Sequence, residues 1–376
     1  MTTYLDCNAT SPLEPRVQQV VWKYMVEEFG NAGSRTHEFG NRAKQVVQKA
    51  REQVAAIVRC KPEEVIFTSG ATESDNLAIL GLAPFGKEQG RRHIITSAME
   101  HKAVLEPLEE LSHQGFEITL LKPDKDGWIQ PEAVVEALRP DTLLVSLMHI
   151  NNETGVIQPI EEVASSLDGH EAFFHVDAAQ SFGKEIPSLR HPRIELISIS
   201  GHKIYGPKGV GALITRRRGF KSLPLRPLMF GGGQERGLRP GTVPVHLVAG
   251  LGEAAEIAGS THQARRQACL VFRQELLEAF APLSPQINGD LNRTVPNTLN
   301  ISITGINSEA AMVALKGLVA ISNGSACTSQ SYTPSHVLTS MGMADDRIRE
   351  ALRISWCHMT ESVDWRPVIS ALSGLR

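Results

Sequence analysis

Ile194-Glu195-Leu196-Ile197-Ser198-Ile199-Ser200-Gly201-His202-Lys203-Ile204-Tyr205-Gly206-Pro207-Lys208-Gly209 decides how the rest of the chain is read. Ile194 to Ile199 is rich in apolar residues and has the length of a buried strand. Ser200 to Gly209 is punctuated by Gly201, Gly206, Pro207 and Gly209, and reads as a loop leaving the strand's carboxyl end. In an open α/β sheet, ligands bind outside the carboxyl ends of the strands. Folding does not ask for a lysine at that place. Chemistry can, because an amine forms a Schiff base with a carbonyl cofactor or substrate. Lys208 is a second amine in the same loop; Lys203 is preferred because it lies nearer the strand end.

Working outward, strand and helix patterns alternate. Ala43, Val46, Val47, Ala50, Val54, Ile57 and Val58 share one helix face. Strands are predicted at 65–68, 93–96, 116–120, 143–149, 172–176 and 210–215. Helices are predicted between them, at 71–82, 101–114, 131–138 and 160–167. This alternation argues a mostly parallel sheet with helices on both faces. Helices are predicted again at 245–258 and 264–280. A different rhythm follows, with short strands at 299–303 and 318–321 and helices at 308–315, 335–341 and 361–372. The reading is a large α/β domain to about residue 245 and a smaller α+β domain after it. Between them, Gly231 to Thr242 is crowded with glycine, arginine and proline, so it is either flexible or held by a ligand or partner.

Composition narrows the classes. The 376 residues carry a net charge of −3, so no bulk attraction to nucleic acid or membrane is expected. No apolar run approaches the ~18 residues of a membrane span, and the start lacks a signal-peptide pattern. Cys7, Cys60, Cys269, Cys327 and Cys357 are odd in number and irregular in spacing. That argues against a disulfide framework or a metal site and fits a reducing cytoplasm. The run Arg216-Arg217-Arg218 reads as a solvated turn.

Several strand ends carry polar groups that would converge on one crevice. Thr68 to Ser74 joins a strand to a helix, and its amides could bind a phosphate; an ordinary cap by Ser69 or Thr72 would look the same. Asp177 ends a buried strand and could keep a cofactor ring nitrogen protonated, or could serve a turn or a buried pair. His101 could lie against a cofactor or move protons, or make a local contact at a helix start. Asn151 and Asn152 offer amides to substrate, or form a turn. Arg353 sits among apolar residues and needs an anion, either a substrate carboxylate or a buried salt bridge. Cys327 lies in Ser322-Asn323-Gly324-Ser325-Ala326-Cys327-Thr328-Ser329, a run without large apolar residues, which reads as an accessible thiol. Cys60, Cys269 and Cys357 read as structural, and Cys7 is open.

Taken together, these residues resemble the cysteine desulfurases of the NifS/IscS type, pyridoxal-phosphate enzymes of the class V aminotransferase group. The resemblance rests on Leu5-Asp6-x-x-Ala9-Thr10, Thr68 to Asn76, Glu100-His101-Lys102, Met148-His149-x-Asn151-Asn152-Glu153, His175-Val176-Asp177, Ser200 to Gly209 and Ser325-Ala326-Cys327. It implies the fold of pyridoxal-phosphate-dependent transferases. A large domain (13–245) would hold a mostly parallel seven-stranded sheet flanked by helices. A small α+β domain (1–12 and 246–376) would carry the catalytic cysteine. Pyridoxal 5′-phosphate would be bound by Lys203, with Asp177 at the ring nitrogen, Gln180 at the ring oxygen and His101 stacked and assisting proton transfer. Ala71, Thr72, Ser200 and His202 would hold the phosphate, and Thr242 would reach that of a neighbouring subunit, which implies a homodimer. Arg353, with Asn31 and Asn152, would bind the carboxylate of L-cysteine. Cys327 would take its sulfur as a persulfide, release alanine and pass the sulfur to a protein acceptor. Iron–sulfur assembly, tRNA thiolation and DNA phosphorothioation are the routes that fit. The competing reading is a selenocysteine lyase or another class V aminotransferase in which Cys327 is incidental. The chain departs from the group at Cys7, Ser11, Ala32-Gly33 and Pro240.

Overall fold

The computed structural model describes residues 2–323 and 334–376. Strand β1 (Thr3–Tyr4) comes first, then helices α1 (Pro15–Trp22) and α2 (Glu38–Val58). The alternation predicted from periodicity follows: β2 (Val65–Thr68), α3 (Ala71–Glu88), β3 (His93–Ser97), α4 (Lys102–His113), β4 (Glu117–Leu121), α5 (Pro131–Ala137), β5 (Thr142–Met148), α6 (Ile160–Ser166), β6 (Phe173–Asp177), β7 (Leu196–Ser200) and β8 (Gly211–Thr215).

These seven strands form one sheet in the order β2-β8-β7-β6-β5-β3-β4. Only β8 runs against the others: it is antiparallel to both β7 and β2. Strands β2, β3, β5, β6 and β7 are buried along their whole length. Helices on both faces leave no polar side for them to expose, so their sequences read as continuous apolar runs rather than alternations. Strand β4, at the edge, is half exposed. One face of the sheet packs on α2 and on Val245 to Ile257; the other packs on α3 and α4.

Helix α7 (Val245–Phe280) corrects the sequence reading of two helices. Gly259 to Gln263 interrupts the apolar period, but the helix continues. Ser260 and Thr261 turn their hydroxyls back onto the Ile257 carbonyl, at 3.0 and 2.7 Å. The chain therefore satisfies its polar groups inside the helix instead of breaking it. At about 1.5 Å per residue, this helix is roughly 54 Å long. Its first half belongs to the core under the large sheet. Its second half, from Cys269 to Phe280, belongs to a separate core.

That second core is built on a three-stranded antiparallel sheet of β9 (Gln286–Ile287), β10 (Thr298–Ser302) and, after α8 (Ser308–Ala314), β11 (Val319–Ala320), α9 (His336–Ser340) and α10 (Asp345–Arg349), β12 (Ala351–Ser355). β11 pairs instead with β1. Helix α11 (Trp365–Ser373) closes the core. Asp6 bridges to Ser355, so the first residues of the chain lie along β12.

Candidate active site

Register brings the strand ends level. Met148 pairs with Asp177, Asp177 with Ser198, Ser200 with Gly211 and Gly211 with Thr68. A Cβ on Gly211 would lie 2.7 Å from Gly70 Cα, so only glycine lets the start of α3 come this close to the sheet. A cavity of about 540 Å³ opens above these ends. Its wall includes Ala71, Thr72, His101, Asn152, Asp177, Gln180, Ser200, His202, Lys203 and Arg353, all singled out from sequence.

Lys203 ends a single 3₁₀ turn directly after β7. Its Nζ donates to the Asn8 carbonyl and, at 2.9 Å, to that of Ala9. Asn8 is itself fixed: its amide nitrogen donates to Ser355 Oγ at 2.9 Å, and its Nδ2 to Thr298 Oγ1 at 2.9 Å and Asn152 O at 3.0 Å. The same Asn8 carbonyl accepts from Gln180 Nε2 at 2.9 Å, leaving Gln180 Oε1 buried without a partner among the described residues.

Asp177 is the last residue of β6, and its Oδ1 accepts from Ala179 N at 2.8 Å. Burial, then the neighbouring Asp75 carboxyl, pushes it up to about 7. Burial also lifts Asp75 to about 8, against an opposing hydrogen bond from Ser198, and Asp75 Oδ1 lies 3.4 Å from His175 Nε2. His175, two residues before Asp177 on the same face of β6, bonds Ser146 and Ser198 at 2.8 and 2.9 Å. Burial brings it down to about 4, so it stays neutral. Glu100, beside His101, is raised to about 8 by burial while it accepts from Ser97 Oγ and Met148 N.

His101 caps α4, its Nδ1 accepting from Ala103 N at 3.1 Å. Burial lowers its affinity for a proton, while Asp177 works the other way. The neutral ring carries its proton on Nε2, since Nδ1 is an acceptor. His202 is brought down to about 4 by burial and by Lys203, and its Nδ1 bonds Thr10 Oγ1 at 3.0 Å.

Helix α3 begins at Ala71 with Gly70 as its cap residue and no capping side chain, so the cap expected as the alternative is absent. Glu73 turns away, taking Ser69 N at 2.7 Å and Arg239 Nε at 3.0 Å. The first-turn amides of Ala71, Thr72 and Glu73, on the cavity wall, have no carbonyl within the helix to bond. Helix dipole and open donors together make an anion site.

Arg353 forms the buried salt bridge that was the alternative to a substrate carboxylate. It is 1 % exposed; Nη2 pairs with Asp6 at 2.7 Å and Nη1 donates to Asn152 O at 3.2 Å. Nε has no partner among the described residues. Its backbone exchanges two hydrogen bonds with Ser322.

Two expected residues stand apart from this wall. Asn31 is exposed and accepts from Gly33 N, and Thr242 is exposed at the end of its loop. Part of that loop is held from within the chain. Glu235, at φ 46°, forms a buried two-pronged ion pair with Arg51 at 2.6 and 2.8 Å and accepts from Phe67 N at 2.7 Å. Cys327 lies outside the described residues.

Sequence reading missed the supports. Asp6, Asn8 and Thr10 hold Arg353, Lys203 and His202, and all lie in the opening segment, whose match to the group was noticed but given no role. Asp75 was also passed over, although a carboxylate on the apolar side of an amphipathic helix is a readable signal.

A family model for class-V aminotransferases matches residues 3–364. Among similar curated proteins, the cysteine desulfurase IscS of Vibrio vulnificus is 46% identical, over 96% of this chain and 90% of its own length. That of Methylococcus capsulatus is 45% identical, over 97% and 90%. Among solved structures, DndA from Streptomyces lividans is 54% identical with a TM-score of 0.83, covering 94% of this chain and 99% of that one. A NifS-like protein is 35% identical with a TM-score of 0.90, covering 100% and 98%. SspA in complex with cysteine is 36% identical with a TM-score of 0.84, covering 96% and 100%.

Proposed function

Because this chain belongs to the class-V aminotransferase family and is a cysteine desulfurase, we propose that its cavity takes pyridoxal 5′-phosphate and L-cysteine and that Cys327 receives the sulfur. The carrying observation is the meeting of Lys203, Asp177, His101 and the open start of α3 on one wall. The residues present fit the cofactor. The uncapped first turn of α3 suits its phosphate, with Ser200 and His202 beside it. The unpartnered Gln180 amide oxygen marks a place for a ring substituent. Asp177, lifted by burial, suits a protonated ring nitrogen, which would draw the carboxyl back to its charged form.

When bound, pyridoxal phosphate supplies a carbonyl for amines and a ring that accepts electron density from the cysteine α-carbon. Lys203 Nζ would be the amine that holds the cofactor and the base that moves the substrate α-proton. Asp177 would keep the ring-nitrogen proton in place. His101 would lie against the ring, with its Nε2 proton available for transfer. Arg353 takes the substrate carboxylate with its unpartnered Nε edge, while Asp6 fixes the guanidinium plane. Cys327 accepts the substrate's sulfur as a persulfide, alanine is the other product, and a sulfur acceptor then takes the terminal sulfur atom. That acceptor belongs to iron–sulfur assembly, tRNA thiolation or DNA phosphorothioation. Purified protein should release sulfide and alanine from L-cysteine in the presence of a thiol. Cys327→Ala should keep the visible absorbance of the cofactor and make no sulfide; normal turnover by that variant would remove Cys327 from the reaction.

A homodimer is part of the same proposal. Trp22, Met25, Val26, Phe29 and Phe39 are all about half exposed or more, on the segment that also carries Asn31. Such an apolar patch suits cover by a second copy. That copy would bring Thr242, and with it Asn31, to a neighbouring cavity. The two domains (13–245; 1–12 with 246–376) belong to this reading as well. No helix among the described residues is long and apolar enough to cross a membrane.

A further inference from the structure

Behind the opening segment, away from the cavity, the side chains of Cys7 and Cys357 pack together with Tyr205 in a small buried cluster. Cys7 is 4 % exposed and Cys357 is 3 % exposed. The backbones run side by side here: Cys7 N donates to Ser355 O at 3.0 Å, and Asp6 bridges to Ser355. The two thiols pack against one another, and Thr360 Oγ1 donates to Cys357 Sγ at 3.7 Å. Lys184 is the nearby amine; burial lowers its affinity for a proton, while Cys7, Cys269 and Cys357 work the other way. Lys184, Cys269 and Tyr205, the residue that packs on the pair, line a cavity of about 30 Å³. That is room for a molecule of the size of water or hydrogen peroxide.

A thiol that accepts hydrogen bonds beside an amine is the arrangement that favours a thiolate. Cys357 is the sulfur that accepts from Thr360, and contact with Cys7 and this bond favour its thiolate. Cys357 is therefore the attacking sulfur of the pair and Cys7 the one that follows.

We propose that Cys7 and Cys357 are a redox modification site, oxidised by a hydroperoxide to an internal disulfide that disturbs the lysine and arginine supports. The Cys357 thiolate attacks the terminal peroxide oxygen: an S–O bond forms, the O–O bond breaks and the alcohol (water, for hydrogen peroxide) leaves with a proton. Cys7 then attacks that sulfur: an S–S bond forms, the S–O bond breaks and water leaves. Two thiols lose two electrons and one peroxide is reduced. Cys7 lies between Asp6, which fixes Arg353, and Asn8, whose carbonyl receives Lys203. Drawing Cys7 onto Cys357 moves both neighbours. The coupling to the cavity rests on the function proposed above; the disulfide itself does not.

The test uses holoenzyme carrying Cys327→Ser, so that the catalytic thiol cannot report. After hydrogen peroxide, non-reducing peptide mass mapping should find the Cys7 and Cys357 peptides joined, and dithiothreitol should separate them. The L-cysteine concentration that half-saturates the change in cofactor absorbance should rise roughly tenfold on oxidation, since small displacements at a reacting centre cost this much or more, and should return on reduction. Adding Cys357→Ala should abolish both effects. Alkylation of both cysteines in peroxide-treated protein would overturn the site. A mapped disulfide with an unchanged titration would overturn the coupling. Absence of any cofactor absorbance, with the disulfide present, would instead strike the proposed function and leave the modification site standing.

Discussion

The inner wall of the cavity and the outer loops that carry Asn31 and Thr242 solve different problems. On the inner wall every proposed group is placed by its own chain. Lys203, Asp177 and His101 stand near strand ends whose register places them, and Ala9, Ala179 and Ala103 bond their polar atoms. On the outside, Asn31 and Thr242 are exposed, and the loop that ends at Thr242 is tied to the large domain by the Arg51–Glu235 pair. The difference teaches that the wall groups are held by contacts within the chain, while Asn31 and Thr242 are left to solvent, as the proposed second copy would require.

The largest effects should come from the inner wall. Lys203→Ala should lower sulfide release by roughly 10³-fold, and Asp177→Asn by roughly 10²-fold, the range for losing a positioned acid or base. A steady-state assay with saturating cofactor would show it; a Thr242 variant as damaged as Lys203→Ala would erase the distinction. Arg353→Lys should raise KM for L-cysteine by roughly 10- to 100-fold, with kcat changed less, because lysine cannot match a carboxylate in two-pronged geometry. An equal loss in kcat would place Arg353 in the chemistry rather than in binding.

The next effect is on stability. Arg51→Met leaves the Glu235 carboxylate buried without its cation and should cost about 3 kcal/mol. The double variant Arg51→Met/Glu235→Leu should regain most of it in a denaturant titration. If it does not, the loop owes its position to something other than this pair.

The inner wall should also mark the pH dependence of the cofactor-free protein. Asp75, Glu100 and Asp177 bind protons more tightly folded than unfolded. Their contribution to stability is therefore full below about pH 4 and is lost as pH rises through 7 to 8. His149, His175 and His202 are lowered, so theirs is already complete above about pH 6.5. Between these limits only the carboxyl trend acts among these groups. The thermal midpoint should fall from pH 6.5 to 8.5, and less once cofactor neutralises Asp177. A rising midpoint would mean that these carboxyls are not held neutral. Thr242→Val should have the smallest effect, a roughly tenfold faster loss of cofactor on dialysis, the value of one hydrogen bond to a charged group.

Much of this was legible in the sequence because strand periodicity is local. Continuous apolar runs marked the buried strands, and polar residues at their ends marked the wall. What was not legible depends on distant partners. Nothing near Gly259 announces that α7 continues, because the carbonyls that accept from Ser260 and Thr261 exist only once the helix has formed. Nothing near Arg353 announces Asp6. The α3 start could be read as a cap or as an anion site, and only the structure shows that no side chain caps it. Cys357 was read as structural because burial is its commonest state, and its neighbour Cys7 lies 350 positions earlier.

The Asp6–Arg353 pair also sets a timetable. Its partners are separated by 347 positions, and Asn8 reaches Thr298 and Ser355 across nearly as many. The large sheet can close once β8 has been made, yet residues 6–10 must wait on the ribosome for the 350s to emerge. Contacts of such span are entropically late to form. A newly made subunit therefore carries a folded sheet well before it carries a usable lysine, and catalysis cannot begin on a partly made chain.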